Sequence, residues 1–248
     1  MSLTIDSKQR PPRKSVEVVA VSRITPKTVR VTVRGNLVDW PEPGPAAHFK
    51  IFLPVGPSEQ LVPRTYTVRA FDRSRGEVTI DFALHEGGGP AADWAANVRP
   101  GARLELSGRA RSTFEPAPEG GRYVFACDES ALPAVATCLE VLPTSAQATV
   151  IAEVADKEEE RPVSSPATVN VHWVHRDEGS IRFIDAVSAV VRESNPTEVW
   201  IACEANTMRT IRRSLLDNGC PVAMLKTRGY WKRGEAGHTD HDTGDDVI

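Results

Sequence analysis

Residues 64–69 read Arg-Thr-Tyr-Thr-Val-Arg and combine a cation, an aromatic ring and short hydroxyl groups on one predicted strand. Arg64 can hold a phosphate with its planar, permanently charged guanidinium. Tyr66 offers a ring for stacking, and Thr67 offers a hydroxyl and a nearby backbone N–H. A ligand with both a flat heteroaromatic ring and a diphosphate suits this set, which predicts a flavin nucleotide. Because strand side chains alternate, we expect Arg64 and Tyr66 on one face and Thr65 and Thr67 on the other. An ordinary barrel strand would explain the segment alone.

A glycine-rich turn is the second group of residues with chemical potential. Residues 81–95 read Asp-Phe-Ala-Leu-His-Glu-Gly-Gly-Gly-Pro-Ala-Ala-Asp-Trp-Ala, which predicts a strand ending at His85 and a helix beginning near Pro90. Glycines allow backbone N–H groups to approach a ligand, and a helix N-terminus adds partial positive charge. The turn therefore suits a diphosphate. The alternative is a flexible turn, with His85 structural and Trp94 in the core.

Two segments of the second half could contact a ligand. Cys127-Asp-Glu-Ser-Ala-Leu-Pro-Ala134 follows the first strand of a predicted α/β unit, where a nicotinamide nucleotide would dock. It lacks the glycine-rich fingerprint, and Ser130 as a helix cap is the favoured interpretation. Residues 226–234, Lys-Thr-Arg-Gly-Tyr-Trp-Lys-Arg-Gly, place two aromatics among four cations. They form either a surface for an anionic or flat partner or a solvated strand end.

The elements that position these residues differ between the two halves. The first half predicts six short strands and one helix (91–98), the strands being 16–21, 28–34, 47–53, 64–70, 77–84 and 103–107. The second half alternates strands with helices, which indicates parallel β-α-β units. Its strands are predicted at 122–127, 148–153, 168–174, 198–203 and 221–226, and its helices at 132–142, 182–191 and 206–217.

The predicted fold is a six-stranded antiparallel β-barrel followed by a small, doubly wound parallel α/β domain. The barrel spans 14–111, a Pro- and Gly-rich linker spans 112–121, and the α/β domain spans 122–234. The ends, 1–13 and 235–248, are expected to be disordered, and 156–166 to be a charged surface loop. Ligands are expected in the cleft between the domains.

Composition excludes several classes of function. A formal net charge of −3, with a near-neutral body, argues against a nucleic-acid binder. The chain has neither an 18-residue apolar run nor an apolar signal core, so we expect no membrane span and a cytoplasmic location. The cysteines are widely spaced without a C-x-x-C pair, which argues against zinc and iron–sulfur sites and favours buried, reduced thiols. Nothing in the sequence requires more than a monomer.

Taken in order, these motifs resemble the bacterial siderophore-interacting proteins, flavin-dependent ferric-siderophore reductases of the ferredoxin-reductase-like superfamily. The resemblance covers residues 14–234. It rests on Arg64-Thr-Tyr-Thr-Val-Arg69, on His85 through Trp94 and Ala95, on Asp128-Glu-Ser-Ala-Leu-Pro-Ala134, on Glu204 with Ile211-Arg-Arg213, and on Gly229-Tyr-Trp-Lys232.

The resemblance implies that the barrel binds FAD and that the α/β domain receives electrons from NADPH, NADH or a ferredoxin. The implied cofactor-binding residues are Arg64, Thr65, Tyr66, Thr67, Val68, His85, Gly88, Gly89, Ala91, Ala92, Trp94, Asp128, Ser130 and Ala131. FAD itself would carry the chemistry, so no catalytic or metal-binding side chain is expected. A basic rim would concentrate anionic ferric siderophores. Its expected members are Lys50, which resembles a family position near the flavin edge, and Arg111, Arg228, Lys232 and Arg233.

The implied function is reductive release of iron from a ferric siderophore. Siderophores hold Fe(III) with hard oxygen donors and hold Fe(II) far less tightly, so one-electron reduction frees the metal. One alternative is a general NAD(P)H:flavin oxidoreductase that reduces ferric chelates incidentally. Another is a non-catalytic siderophore-binding protein, which would be colourless. The flavin-suited strand and turn argue against the second alternative.

Overall fold

The chain folds into an antiparallel sheet followed by a parallel α/β unit, which confirms the predicted fold class. The computed structural model describes residues 12–55, 60–84, 89–108, 112–178, 181–235, 237, 238 and 242–245. Three positions of the predicted site, His85, Gly88 and Arg111, and most of the N-terminal tail lie outside these residues.

The N-terminal sheet has seven strands in the order β4-β3-β7-β1-β2-β6-β5, and its neighbours pair antiparallel. The predicted strand 64–70 is wrong in its bounds, since the backbone divides there into a longer β4 and a short additional strand, β5. The elements are β1 (Lys14–Thr25), β2 (Thr28–Gly35), β3 (His48–Val55), β4 (Gln60–Thr67), β5 (Ala70–Asp72), β6 (Glu77–Ala83), α1 (Gly89–Asn97) and β7 (Arg103–Ser107).

A two-residue link between β4 and β5 brings the two edges of this sheet together. The backbone N–H of Val68 donates to the Ala47 carbonyl beside β3 (2.9 Å), and that of Arg69 donates to the Thr79 carbonyl on β6 (2.9 Å). The sheet therefore curls around one apolar core, because alternate residues of each strand point inward. Helix α1 adds Ala91 and Ala95 to that core.

The second unit is a five-stranded parallel sheet in the order β10-β9-β8-β11-β12. Helix α2 packs on one face, and α3 and α4 pack on the other, as a doubly wound domain requires. The strand order reverses between β8 and β11. The elements are β8 (Arg122–Asp128), α2 (Leu132–Glu140), β9 (Gln147–Val154), β10 (Thr168–His175), α3 (Ile181–Ser194), β11 (Glu198–Glu204), α4 (Ala205–Asp217) and β12 (Leu225–Trp231).

The last strand differs from its prediction at 221–226. Val222–Met224 forms a 3-10 turn, and the strand begins at Leu225 and continues to Trp231. Its register against β11, with Ala202 opposite Arg228, carries the basic and aromatic residues of 226–231 along the sheet.

The loop after β9 joins the two units and corrects the predicted surface loop at 156–166. Glu159 in this loop is only 2% exposed. Its carboxylate accepts the Lys27 N–H (2.7 Å) and the Thr25 hydroxyl at the β1–β2 turn. The partner is far away in sequence, so composition alone indicated a solvated loop.

Part of the C-terminal tail also departs from the expected disorder. Asp242 is buried, and its carboxylate makes a paired contact with Arg209 of α4 (2.7 and 2.8 Å). The Asp242 carbonyl accepts the Gly229 N–H of β12 (2.8 Å). A β-carbon added to Gly229 would lie 2.9 Å from the Asp242 carboxylate, so glycine permits this close approach.

The described residues hold neither a candidate membrane span nor a candidate metal cluster. No helix among them is both long enough and apolar enough to cross a bilayer. No three of their histidine, cysteine, aspartate or glutamate side chains converge as a metal site.

Candidate functional site

Strand β4 carries Arg64 and Tyr66 two residues apart on one side, with Tyr66 packed on the core. Tyr66 pairs with Phe49 of β3, which is buried in the core, and lies two residues from Arg64. The Tyr66 ring centroid lies 4.4 Å from that of Phe82, with the rings tilted by 40°. Burial raises the pKa of the Tyr66 phenol, so it stays neutral. The two predicted flavin contacts therefore share one face, as the alternation required.

The opposite face of β4 meets the α/β unit. Thr67 is buried, and its side chain lies against the phenol of Tyr230 on β12. Burial raises the pKa of Tyr230, and the hydrogen bond with Thr67 acts in the opposite direction. On the same face, Lys50 Nζ donates to Thr65 Oγ1 (3.1 Å). Thr67 thus lies where the two units meet, and Thr65 shares its face of the strand.

Helix α1 offers the predicted anion site. It begins at Gly89, whose φ of +68° is a conformation that glycine adopts readily, and a β-carbon there would meet no atom within 4 Å. The first-turn N–H groups have no acceptor inside the helix, and the first turn carries no acidic residue. The side chains of Ala91 and Ala92 are buried, so only their backbones could serve a ligand. These first-turn N–H groups fit a diphosphate.

An aromatic row connects this helix to β4. Phe82 lies 4.4 Å from Tyr66 and 5.6 Å from Trp94, measured between ring centroids. Trp94 therefore packs on the core, and Phe82 of β6 lies between it and Tyr66 of the predicted flavin strand. Val68 is buried, and its N–H is used by the sheet, which leaves no free amide at that position. Together, β4 and α1 supply a ring, a cation and open N–H groups, and this set fits FAD.

Asp128 occupies the point where the strand order of the parallel sheet reverses. It is 2% exposed, and its Oδ2 accepts the Glu204 N–H at the end of β11 (2.9 Å) and the Trp231 indole N–H (2.8 Å). Its Oδ1 accepts the N–H and hydroxyl of Ser130. Burial raises the pKa of Asp128, and the neighbouring charge of Glu129 adds to the increase.

The predicted helix cap at Ser130 is wrong. Helix α2 has Ala131 at its N-cap without a side-chain hydrogen bond, and Ala131 N donates to the Asp128 carbonyl (3.1 Å). Ser130 is instead tied to the Asp128 carboxylate. Asp128, Ser130 and Ala131 therefore form a turn whose polar groups largely satisfy one another.

Carboxylates line the carboxyl edge of the sheet on either side of Asp128. Arg176, just after β10, donates to both oxygens of Glu129 (2.9 and 2.6 Å) and to Glu153 Oε2 (3.2 Å). Glu153 Oε1 is buried without a hydrogen-bond partner. Burial raises the pKa of Glu153, although Arg176 opposes the shift. Sequence analysis missed this group, but its position at the end of the second strand of the unit was a usable signal.

The predicted basic rim is brought together only in part. Arg228 on β12 reaches His48 on β3 (Nη1 to Nε2, 3.4 Å), and Lys50 follows two residues later on the same face. Lys232 pairs with Glu235 (2.9 Å). Arg233 is exposed, and its backbone N–H donates to the Glu204 carboxylate (3.2 Å).

Comparisons with known proteins agree with this geometry. The model of the siderophore-interacting protein family matches residues 121–234, and that of the siderophore-interacting FAD-binding domain matches residues 55–112. The crystal structure of a siderophore utilization protein from T. fusca is 32% identical, covers 94% of this chain and 98% of its own, and has a TM-score of 0.76. The siderophore-interacting protein SipS of Aeromonas hydrophila is 29% identical, with 91% and 94% coverage and a TM-score of 0.79.

A curated relative is similar to this chain over nearly the whole length of both. The ferric vibriobactin reductase ViuB of Vibrio cholerae is 28% identical over 92% of both chains. The FAD-binding domain match covers β4 and α1, and the second match covers the parallel sheet, so both halves of the site lie within them. The chain belongs to the siderophore-interacting protein family, with the fold of the ferredoxin reductases.

Proposed function

We propose that this protein is an FAD-dependent reductase that releases iron from ferric siderophores. The observation that carries the proposal is the aromatic row in which Phe82 joins Tyr66 of β4 to Trp94 of α1. That arrangement lies within the match to the FAD-binding domain. Relatives named as ferric vibriobactin and ferric acinetobactin reductases support the same reaction.

The residues of β4 and α1 would divide the binding of FAD between them. Arg64 and the first-turn N–H groups of α1 would hold the diphosphate. Tyr66 would lie against the flavin ring, whereas Thr65 and Thr67 lie on the opposite face of β4, toward Lys50 and Tyr230. Bound FAD supplies the redox chemistry, accepting two electrons and passing them on singly.

Basic side chains around the site would position the ferric chelate. Lys50 of β3 contacts Thr65 of the flavin strand, and Arg228 of β12 contacts His48, two residues before Lys50. Both cations would attract an anionic siderophore. No side chain needs to bind iron directly.

All four cysteines are free, which supports a reducing, cytoplasmic setting. The electrons would come from a reduced nicotinamide nucleotide or from a ferredoxin.

The first test concerns the flavin. We expect purified protein to carry FAD, and Arg64→Ala to weaken FAD binding at least about tenfold in a fluorescence titration. Arg34→Ala is the matched control, because Arg34 also lies on a strand of the N-terminal sheet but pairs with Glu77. Equal FAD affinity in all three proteins would remove Arg64 from the binding site, and absence of FAD binding by the unmodified protein would contradict the cofactor assignment.

The second test separates the reductase from its alternatives. Under anaerobic conditions, NADH, NADPH and reduced ferredoxin are each offered to the flavin, and the donor that bleaches it is identified. A ferric siderophore is then added. We expect it to restore the flavin absorbance faster than free FMN does. A faster reaction with FMN would indicate a general flavin oxidoreductase, and binding without reoxidation would indicate a siderophore-binding protein.

A further inference from the structure

Four carboxylate side chains lie at the carboxyl edge of the parallel sheet. Asp128 lies at the end of β8, Glu153 near the end of β9, and Glu204 at the end of β11, with Glu129 immediately after Asp128. Arg176 reaches this group, but its Nε and both terminal nitrogens already donate to Glu129 and Glu153. The edge therefore keeps a net negative charge.

This edge is also where a dinucleotide would lie. In doubly wound sheets, ligands bind outside the carboxyl ends of the strands where the strand order reverses, here between β8 and β11. The adenosine ribose then lies over the end of the second strand, which is β9 in this unit. An acidic residue at that position accepts hydrogen bonds from ribose hydroxyls, whereas an available arginine accommodates a 2′-phosphate.

Glu153 occupies that position, and one of its oxygens lacks a partner. The residue is 7% exposed, Oε2 accepts from Arg176, and Oε1 is buried without a hydrogen bond. Buried polar atoms without partners are rare, because each costs free energy unless a ligand or water satisfies it. A ribose hydroxyl bound at the sheet edge would donate a hydrogen bond to this oxygen after a small movement of the carboxyl group.

We propose that Glu129 and Glu153 select a nicotinamide donor with free ribose hydroxyls, so that NADH is preferred to NADPH. The inference rests on the proposed function, since it names the donor of that reaction. A 2′-phosphate carries a charge of about −1.5 to −2 and would be repelled by these carboxylates. Arg176 could favour the phosphate, but Glu129 holds both of its terminal nitrogens.

The test measures nucleotide binding without any ferric compound or electron transfer. ADP-ribose and 2′-phospho-ADP-ribose are titrated calorimetrically into the FAD-loaded protein. We expect ADP-ribose to bind about tenfold more tightly. Glu153→Gln should weaken ADP-ribose binding, and Glu129→Gln should reduce the preference by releasing Arg176.

The control variant is Glu140→Gln, which also removes a carboxylate from a pair with an arginine. Glu140 binds Arg69 (2.8 Å) at the far end of α2, away from the sheet edge. We expect its affinities for both compounds to match those of the unmodified protein. Circular dichroism and thermal unfolding of each variant confirm that it is folded before titration.

Each outcome decides the inference separately from the proposed function. Tighter binding of 2′-phospho-ADP-ribose would overturn it and assign Arg176 to the phosphate. Absence of binding by both compounds would also overturn it and favour a redox protein as donor. Equal effects of Glu140→Gln and Glu129→Gln on the preference for ADP-ribose would show that Glu129 does not select the donor. A protein that binds ADP-ribose as expected but reduces no ferric siderophore would contradict the proposed function alone.

Discussion

The Trp231 indole N–H donates a 2.8 Å hydrogen bond to Oδ2 of Asp128 and so joins the last strand of the parallel sheet to its first. Asp128 also receives the Glu204 N–H, which places three strand ends around one buried carboxylate. The bond explains why an aromatic residue lies at the very end of β12. It also fixes the indole beside the proposed donor site.

Replacing Trp231 with phenylalanine tests the energetic contribution of this bond. We expect Trp231→Phe to lower the free energy of unfolding by about 1.5 kcal/mol, because a buried charged acceptor loses one donor. Urea denaturation measures the difference. Trp173→Phe is the control, since Trp173 packs on the apolar face of the same sheet. Equal losses in the two variants would show that packing, rather than the bond to Asp128, accounts for the effect.

Glu159 should be a principal anchor between the two units. We expect Glu159→Ala to destabilise the protein by about 3 kcal/mol, because the Thr25 hydroxyl and the Lys27 N–H lose a buried charged acceptor. Glu159→Gln, which keeps one acceptor oxygen, should cost less. Thermal unfolding measures both. Glu158→Ala removes the exposed neighbour and should change stability little. A similar loss for Glu158→Ala would contradict the anchor.

The limits of the sequence predictions have a common physical origin. Alternation in β2 and strand–helix rhythm in 122–217 predicted their elements well, because periodicity reflects which face is buried. Glu159 and Asp242 were assigned to solvated segments, since each carboxylate is stabilised by donors distant in sequence. The strand 221–226 was misplaced because its apolar residues form a turn, while the charged Arg228 lies on the true strand.

The candidate site was predictable to a similar degree. Arg64 and Tyr66 share the face that alternation required, and α1 begins at Gly89, next to the predicted Pro90. Ser130 was assigned as a cap from its residue type, whereas the nearby Asp128 carboxylate competes for its hydroxyl. The position of Glu153 at the end of the second strand of the unit was a usable signal, but its contact with Arg176, which also binds Glu129, depends on strand order and is encoded by no local pattern.

The C-terminal segment should contribute to stability through Asp242. Burial alone would raise the pKa of Asp242, but the hydrogen bonds and charge of Arg209 outweigh it and lower the pKa. The group therefore stabilises the fold above its unfolded pKa of 3.8, and this stabilisation is lost as the pH falls through the lower folded value. We expect Asp242→Asn to cost about 2 kcal/mol at pH 7.

Urea denaturation at pH 7 and at acid pH checks this prediction. The difference between the unmodified protein and Asp242→Asn should shrink on acidification. Asp245→Asn is the control, because Asp245 is largely exposed and its pair with Arg212 is longer (3.4 Å). A stability unaffected by Asp242→Asn would indicate that residues 242–245 contribute little to the fold.

The proposed siderophore rim can be tested by charge reversal at Lys50. We expect Lys50→Glu to raise the KM for an anionic ferric siderophore about tenfold with FAD content unchanged, because like charges then face each other. The effect should weaken with added salt. Lys50 pairs with Ser107 at the end of β7, whereas Arg103 is exposed at the start of that strand. Arg103→Glu should therefore leave KM unchanged. An unchanged KM in Lys50→Glu would remove this residue from the rim.

Glu153 should show the opposite pH dependence to Asp242. Burial raises its folded pKa above the unfolded 4.5, so its contribution to stability is present below pH 4.5 and is lost as the pH rises through the folded value. Glutamine does not titrate in this range. We therefore expect Glu153→Gln to gain stability relative to the unmodified protein between pH 4.5 and neutrality, measured by urea denaturation across that interval.

A relative loss of stability by Glu153→Gln on raising the pH would contradict this assignment. A confirmed gain would mean that the unmodified protein keeps a carboxylate that weakens its fold at neutral pH. Such a cost is typical of groups held in place for a ligand. Saturating ADP-ribose should then stabilise the unmodified protein more than Glu153→Gln, because only the carboxylate gains a donor to its unpartnered oxygen on binding.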